Sequence, residues 1–352
     1  MQALSRLGYD VIFWGYDTRH YYYLHDEQKV PVLRIFFTKT SLFYHILSYI
    51  SLYFSVIKSI SKLDLSEGDI CYIRSMPSEV LHKIMLSKIK RRSVKIIAEN
   101  PTYIKGGGEK PRWFIRLLMA FLRPFNKSTN IDYYTIIGDD CEGSFLGVPA
   151  INISNCISID GIPIRTPQVH NDINFLAVAS MSDWHGYDRL IKGMADYRDE
   201  NIHLYMVGGD GDGSLGKWKD LSINLGLQNN VHFLGPKHGS DLIELFNICD
   251  IAFASLGMYR TNCFNASVLK AREYSARGIP FIYATNDPVL DMFPMPFFFK
   301  IANDDTPVDV KSVIDFYNKI SSMSNIPEMM REYAKERMSW ESEFSKVISF
   351  IG

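Results

Sequence analysis

From about residue 174 onward, short apolar runs alternate with stretches whose apolar residues recur at helical spacing, the rhythm of successive α/β units. The spacing predicts strands at Phe175–Ala179, His203–Val207, Val231–Leu234, Ile251–Ala254, Phe281–Ala284 and Phe297–Lys300. Helices are expected near 186–197, 214–226, 240–247 and 267–277. Such an order makes a parallel sheet covered on both faces. The first half repeats the theme more loosely, with strands at Val11–Trp14, Val32–Phe37, Ile70–Arg74, Val94–Ala98, Tyr133–Ile137 and Ala150–Ile153. Gln2–Leu7 reads as the end of a helix capped by Gly8. A doubly wound domain normally opens on a strand and a glycine-rich turn, so either the true start lies upstream or this domain lacks its first strand. The expected fold is α/β: two Rossmann-like doubly wound parallel-sheet domains with a cleft between them. Their bounds are 1–155 and 173–335, with a hinge at 156–172 rich in Pro, Asn and Asp.

A chain of 352 residues suits two domains rather than one. Its 47% hydrophobic and 22% charged content describes a globular protein, neither disordered nor fibrous. The formal net charge of −1 hides an asymmetry: residues 1–158 carry 20 Lys+Arg against 14 Asp+Glu, the remainder 18 against 25. A basic first half suits an anionic partner such as a membrane surface, or reflects a solvated difference with no partner. Lys105–Lys127 holds six cations against Glu109, interleaved with Trp113, Phe114, Leu117, Leu118 and Phe121. That is the composition of a helix lying in a bilayer interface, or of a solvated helix packed on the sheet. No recognition motif supports nucleic acid. Leu42–Ile57 is uncharged but only 16 residues long and interrupted by His45, Ser48, Ser51 and Ser55, short of the roughly 20 apolar residues a spanning helix needs. It is expected to be a helix buried between sheet and neighbours. Five scattered cysteines without a CxxC argue for a reducing compartment and against a structural zinc. No signal peptide is legible at the start, and a cytoplasmic location follows, with the inner membrane face as a place of peripheral attachment.

The stretch Lys270–Pro280 (KAREYSARGIP) carries the most chemistry. It reads as a charged helix ending at Gly278, opened by the loop that holds Asn265. Free N–H groups and the positive dipole end at a helix start hold phosphate, and a carboxylate one turn in, Glu273, can bind sugar hydroxyls. An ordinary solvated helix is the other reading. Gly208–Gly213 (GGDGDG) follows a strand, and Gly211–Gly216 matches GxGxxG. The next strand ends in Gly-Pro where a dinucleotide fold needs a ribose-binding acid. Asp210 and Asp212 form a DxD that could hold a cation, Gly209 could let backbone approach a ligand, or the whole is a plain strand-to-helix turn. In Trp184–Arg189 (WHGYDR), His185 and Gly186 sit at a helix start and either face a phosphate or merely cap the turn over Trp184. Arg260, in SLGMYR, could join Lys270 in neutralising a pyrophosphate leaving group.

Taken together, FLAVASMSDWHGYDRLI, HLYMVGGDG, VHFLGP and SVLKAREYSARGIPFIYA resemble glycosyltransferase family 4 and the related bacterial exopolysaccharide glycosyltransferases of the GT-B fold. DICYIR, IIAENPTY and INISNCISID resemble that family's strand ends and hinge, and Trp340 in MSWESEF its closing helix, here 336–352. The resemblance runs from about Asp69 to the C-terminus. It implies transfer of a sugar from a nucleotide-diphosphate donor to a hydroxyl acceptor, lipid-linked or oligosaccharide, with retained anomeric configuration and no metal or other cofactor. By the family pattern Glu273 holds the nucleotide ribose, Asn265 stands where an acid adjoins the donor sugar, and Ala266, Ser267 and Val268 offer amides to the phosphates. His185 falls where a phosphate-binding Lys is common. Asn265 replaces the usual glutamate, and SMSDW lacks the usual Arg, which leaves Arg260 and Lys270 as substitutes. The expectation is therefore a retaining glycosyltransferase of surface polysaccharide or glycolipid synthesis, with a sugar-nucleotide epimerase, a nicotinamide-dependent oxidoreductase or an inactive, truncated relative as alternatives.

Overall fold

The computed structural model describes residues 2–16, 20–25, 28–34, 54, 56–61, 63–74, 79–105 and 130–352. They form two units, Met1–Ile153 with Phe344–Gly352, and Ser154–Glu343.

In the first unit, helix α1 (Gln2–Arg6) stops at Gly8, whose φ of 88° ends the helix as expected. Strands β1 (Phe13–Tyr16), β2 (His20–His25) and β3 (Gln28–Arg34) follow as an antiparallel sheet in that order. The sequence reading had placed Val11–Trp14 and Val32–Phe37 in the parallel sheet, and here the structure differs. The connections between these strands span only a few residues, whereas a parallel crossover needs about a dozen or more. The intervening HYYYLH, rich in β-favouring tyrosine, is a strand the periodicity did not reveal.

The main sheet of this unit runs β4-β5-β6-β8-β7. Strands β4 (Ile70–Arg74), β5 (Lys95–Tyr103), β6 (Tyr133–Gly138) and β8 (Val148–Asn152) are parallel, and β7 (Ser144–Phe145) pairs antiparallel with β8. Helix α2 (Glu79–Lys90) connects β4 to β5. Successive residues on a strand face opposite ways, and both faces are covered here. Ile96 packs with Leu86, Ile89 and Val56, whereas Ile97 packs with Val347 and Ile351 near the C-terminus. The uncharged run Leu42–Ile57 lies mostly outside the described residues; 54, 56 and 57 are helical and Val56 is buried. Lys105–Lys127 lies outside them beyond Lys105, whose ammonium pairs with Glu142. Among the described residues no helix is long and apolar enough to cross a membrane.

The second unit is a six-stranded, wholly parallel sheet in the order β11-β10-β9-β12-β13-β14. Its strands are β9 (Ile173–Val178), β10 (Ile202–Val207), β11 (Val231–Gly235), β12 (Ile251–Phe253), β13 (Phe281–Tyr283) and β14 (Phe298–Lys300). Helices α3 (Tyr187–Tyr197), α4 (Ser214–Asn224), α5 (Gly239–Ile248), α6 (Leu269–Arg277) and α7 (Pro288–Met292) fill the crossovers in turn. Then come α8 (Val310–Ser321), α9 (Ile326–Met338) and α10 (Trp340–Ile351). The winding reverses between β9 and β12, and in such sheets that reversal opens a crevice beyond the strand ends. Here β9 and β12 pair through only Phe175–Ile251 and Leu176–Ala252. Tyr274, from α6, enters just beyond: its hydroxyl accepts from Val178 N at 3.3 Å and donates to Phe253 O at 3.3 Å.

Helix α6 is fastened a second time by a pair of charges inside the protein. Arg272 (0% exposed) and Asp287 (1% exposed) meet through two hydrogen bonds, one of 2.9 Å. Arg272 Nε also donates to Asn155 O at 3.0 Å, and Asp287 Oδ1 accepts from Val289 N and Leu290 N at 3.0 and 3.3 Å, capping α7. Removing one partner would leave the other charge buried alone, a loss of about 3–5 kcal/mol. We expect Asp287→Ala to lower the unfolding free energy by that amount in a denaturant titration. A change below about 1 kcal/mol, the scale of an exposed pair, would refute this assignment.

Candidate active site

The crevice is closed at its base by backbone. After β9 the chain passes through Ser182 into a 3₁₀ turn, Asp183–His185, and reaches α3 through Gly186. After β12 it passes through Gly257 into a second 3₁₀ turn, Met258–Thr261. The two segments touch: Leu256 N donates to His185 O at 2.8 Å, and a Cβ built on Gly186 would lie 2.6 Å from Gly257 N. Gly186 also has a φ of 66°, a conformation most side chains disfavour. Only glycine allows these loops to meet so closely.

The GGDGDG segment resolves into a turn. Asp210 Oδ1 accepts from Gly213 N at 2.8 Å and Leu215 N at 3.4 Å. Asp212 accepts from Ser214 N at 3.1 Å and, across the crevice floor, from Asp183 N at 2.9 Å. Both carboxylates are thus engaged by backbone at the start of α4. Gly209 takes part through its carbonyl, which accepts from Met181 N at 2.7 Å.

The loop opening α6 is held from two sides. Asn265 Oδ1 accepts from Asn286 Nδ2 at 3.1 Å, and Ala266 N donates to Asn286 O at 2.9 Å. Ser267 (4% exposed) is bound by Asn155, which gives its N–H to the Ser267 hydroxyl at 2.7 Å and its side-chain amide to the Ser267 carbonyl at 2.9 Å. Val268 occupies the N-cap position. Among the described residues no acceptor meets the Val268, Leu269 and Lys270 amides, so the positive end of α6 is open. Of the three amides nominated from sequence, Ala266's is spent within the loop.

Lys270 and His185, 85 positions apart, come together here: Nζ lies 2.6 Å from His185 Nε2 and 5.2 Å from the centre of the Trp184 ring. Trp184 lies tilted against His185 with centroids 3.7 Å apart. The imidazole is 1% exposed, and burial, then the neighbouring ammonium, lowers its pKa to about 3. Burial also lowers the Lys270 pKa to about 8. Arg260 is disposed differently. It donates to Asp188 Oδ1 at 2.9 Å and Oδ2 at 3.0 Å, to Asp305 at 2.7 Å, and to the Asp183 carboxylate at 3.1 Å. Burial opposes its charge, but the bonds to Asp188, Asp305 and Tyr259 outweigh it and raise the guanidinium pKa. Its charge is already more than matched. Glu273, one turn along α6 from Lys270, is half-buried and takes a 2.9 Å hydrogen bond from Arg277.

Lys270 therefore meets His185, the residue before Gly186, and Asn265–Val268 share the loop that opens α6. Sequence reasoning passed over Asn155, Arg272, Tyr274 and Asp287. Asp287 had a readable signal, an acidic residue before Pro288 at a helix start; the partner of Arg272 had none.

Residues 162–337, half of the chain, match the family model described as Glycosyl transferases group 1. No curated protein matches. Among solved structures, a glycosyltransferase from Rickettsia africae is 18% identical, with 89% of this chain and 82% of that one covered at a TM-score of 0.58. HepE of Anabaena, in complex with UDP, is 13% identical over 85% and 82%, with a TM-score of 0.58. A sucrose-phosphate synthase from Thermosynechococcus elongatus is 12% identical over 90% and 79%, with a TM-score of 0.57. Likeness at this level establishes the shared fold, the GT-B architecture of two α/β units.

The glycine contact at the base of the crevice is open to test. Gly186→Ala should lower stability by about 1–3 kcal/mol, the scale of left-handed strain and overpacking. Gly216→Ala, where a Cβ meets nothing within 4 Å in α4, should raise it by up to about 1 kcal/mol. Thermal unfolding of both variants checks the pair; a Gly186→Ala protein as stable as the parent would refute the close approach.

Proposed function

The chain belongs to the group 1 glycosyl transferases, and we propose that it moves a sugar from a nucleotide diphosphate to a hydroxyl acceptor with retained configuration. The bond between the anomeric carbon and a diphosphate oxygen breaks, its electron pair leaving with the diphosphate. The acceptor oxygen bonds to the same carbon from the same face, and its proton passes to the departing diphosphate. Negative charge thus develops on the diphosphate, and the protein's task is to stabilise it.

The observation that carries this reading is the open first turn of α6 with Lys270 beside it. Among the described residues, the Val268, Leu269 and Lys270 amides meet no acceptor and the Lys270 ammonium hydrogen-bonds no carboxylate, the arrangement that receives an anion. Arg260 is balanced by Asp183, Asp188 and Asp305, and Asp210 and Asp212 by backbone amides. The leaving-group charge therefore falls to Lys270 and the helix end. Glu273 would take the ribose hydroxyls by giving up Arg277, and Asn265 would hydrogen-bond the donor sugar. That HepE is described in complex with UDP and with UDP-glucose favours a nucleotide sugar as donor. The basic first half favours an acceptor near an anionic surface, a surface polysaccharide or glycolipid precursor.

Lys270→Ala should reduce sugar transfer by about two to three decades with the melting temperature nearly unchanged, since the side chain is paired with an uncharged ring. A variant that transfers sugar at the parental rate would end this reading. Lys270 carries its charge below its pKa of about 8, so nucleotide affinity should fall as pH rises through that value in isothermal titration. Glu273→Ala should chiefly weaken nucleotide binding, and unchanged affinity would remove the ribose role.

A further inference from the structure

His185 looks at first like a phosphate ligand, because it stands at the start of α3 beside the Lys270 ammonium. Its surroundings argue otherwise. The side chain is 1% exposed, one ring face is covered by Trp184, and Tyr187 stacks at 5.6 Å. Nε2 is occupied by the Lys270 ammonium at 2.6 Å. Burial keeps the ring neutral across the working pH range, so it offers no charge to an anion.

We propose that His185 is a positioning residue, which holds the Lys270 Nζ at the open turn of α6 and keeps it there in both protonation states by exchanging tautomers against Ser182. The geometry offers each ring nitrogen a partner in both states. An ammonium can only donate, so with Lys270 charged Nε2 accepts and the ring proton sits on Nδ1, 3.2 Å from Ser182 O. With Lys270 neutral, Nε2–H donates to the amine and Nδ1 accepts from Ser182 N at 3.1 Å. Ser182 thus presents an acceptor and a donor to one ring nitrogen. An ammonium has three N–H groups; one goes to the ring, and two are left for an oxyanion. The other groups facing the pair are Asp212, from the loop before α4, and Glu273, along α6. Neither forms a hydrogen bond to Nζ or to the ring.

This inference rests on the donor-site reading above, and its test separates the two. Nitrogen-15 spectra of protein carrying labelled histidine report which ring nitrogen holds the proton. His185 should be protonated on Nδ1 at pH 6 and shift toward Nε2 as pH rises through about 8. In Lys270→Met that shift should vanish. A ring whose proton stays on one nitrogen from pH 6 to 10, or that behaves identically in Lys270→Met, overturns the proposal.

A binding arm uses whichever of UDP, GDP and ADP binds most tightly in calorimetry. His185→Ala should weaken that nucleotide about tenfold or more, the scale of a hydrogen bond to a charged group. It should do almost nothing in the Lys270→Met background, and His185→Gln, which keeps an acceptor, should recover most of the loss. Equal losses in both backgrounds mean the imidazole meets the anion by itself, and the proposal fails. If His185→Ala does not fold, His185→Gln and the spectra, which need no change at 185, decide the matter. If Lys270→Met binds nucleotide as tightly as the parent, or none of the three nucleotides binds, the donor-site reading fails instead, and the spectra still judge the pair.

Discussion

A guanidinium and a carboxylate shut away from water set where the first turn of α6 must lie. Moving either charge of Arg272 and Asp287 into the interior costs several kcal/mol, and their attraction recovers that only when the remaining hydrogen bonds are also made. Here they are made: Arg272 reaches Asn155 O, and Asp287 caps α7. Asn155 then grips Ser267 through two further bonds. The loop that opens α6 is thereby tied to the segment entering the unit and to the segment following β13. Displacing the helix would leave several buried polar groups without partners together, so the arrangement is close to all-or-none.

The same helix is located against the sheet by Tyr274, whose hydroxyl takes the backbone groups freed where β9 and β12 part. Position is thus settled by Arg272, Asp287, Asn155 and Tyr274, while among the described residues the Val268, Leu269 and Lys270 amides have no internal acceptor. The contrast between Arg260 and Lys270 follows from this division. Three carboxylates surround Arg260, and its pKa rises; Lys270 Nζ meets a neutral ring and an indole face, with Glu273 nearby but not hydrogen-bonded to it, and burial lowers its pKa. A cation already satisfied by carboxylates would have to break those bonds to serve an incoming anion. A desolvated cation with a neutral partner gains from the anion's arrival, which restores the charge stabilisation that burial removed.

Much of the second unit is legible because parallel strands buried on both faces read as unbroken apolar runs; β9 to β14 fall within a residue or two of their expected places. The glycine-rich turn at 208–213 was readable as a turn because it joined such a strand to a helical pattern. In the first unit β4, β5, β6 and β8 overlap their expected places, and the pattern misled only before them. Val11–Trp14 and Val32–Phe37 are apolar enough for a buried strand, but the short connections impose antiparallel pairing that hydropathy does not encode. The residues from Asn265 to Glu273 could be nominated together because they are contiguous along one loop and the helix α6 it opens. Pairings between elements were not: Lys270 with His185, and Arg272 with Asp287, are contacts of the fold. Arg272 is hidden further by its neighbours, since a helix reading KARE suggests solvated charges and gives no sign that one of them points inward.

The neutral residue at 265 fits this electrostatic pattern. Asn265 Oδ1 accepts from the Asn286 amide, and Asn286 Oδ1 in turn accepts from Lys300, whose ammonium also meets Asp291 at 2.7 Å. A carboxylate at 265 would draw positive charge from this row and oppose an anion arriving at the nearby helix start. An amide adds no charge there, so the field that the helix end and Lys270 would exert on the proposed diphosphate is undiminished by that position. The cost falls on the sugar, where an amide stabilises developing positive charge less than a carboxylate does. On the function proposed here, the site would stabilise departure of the diphosphate more than positive charge on the ring.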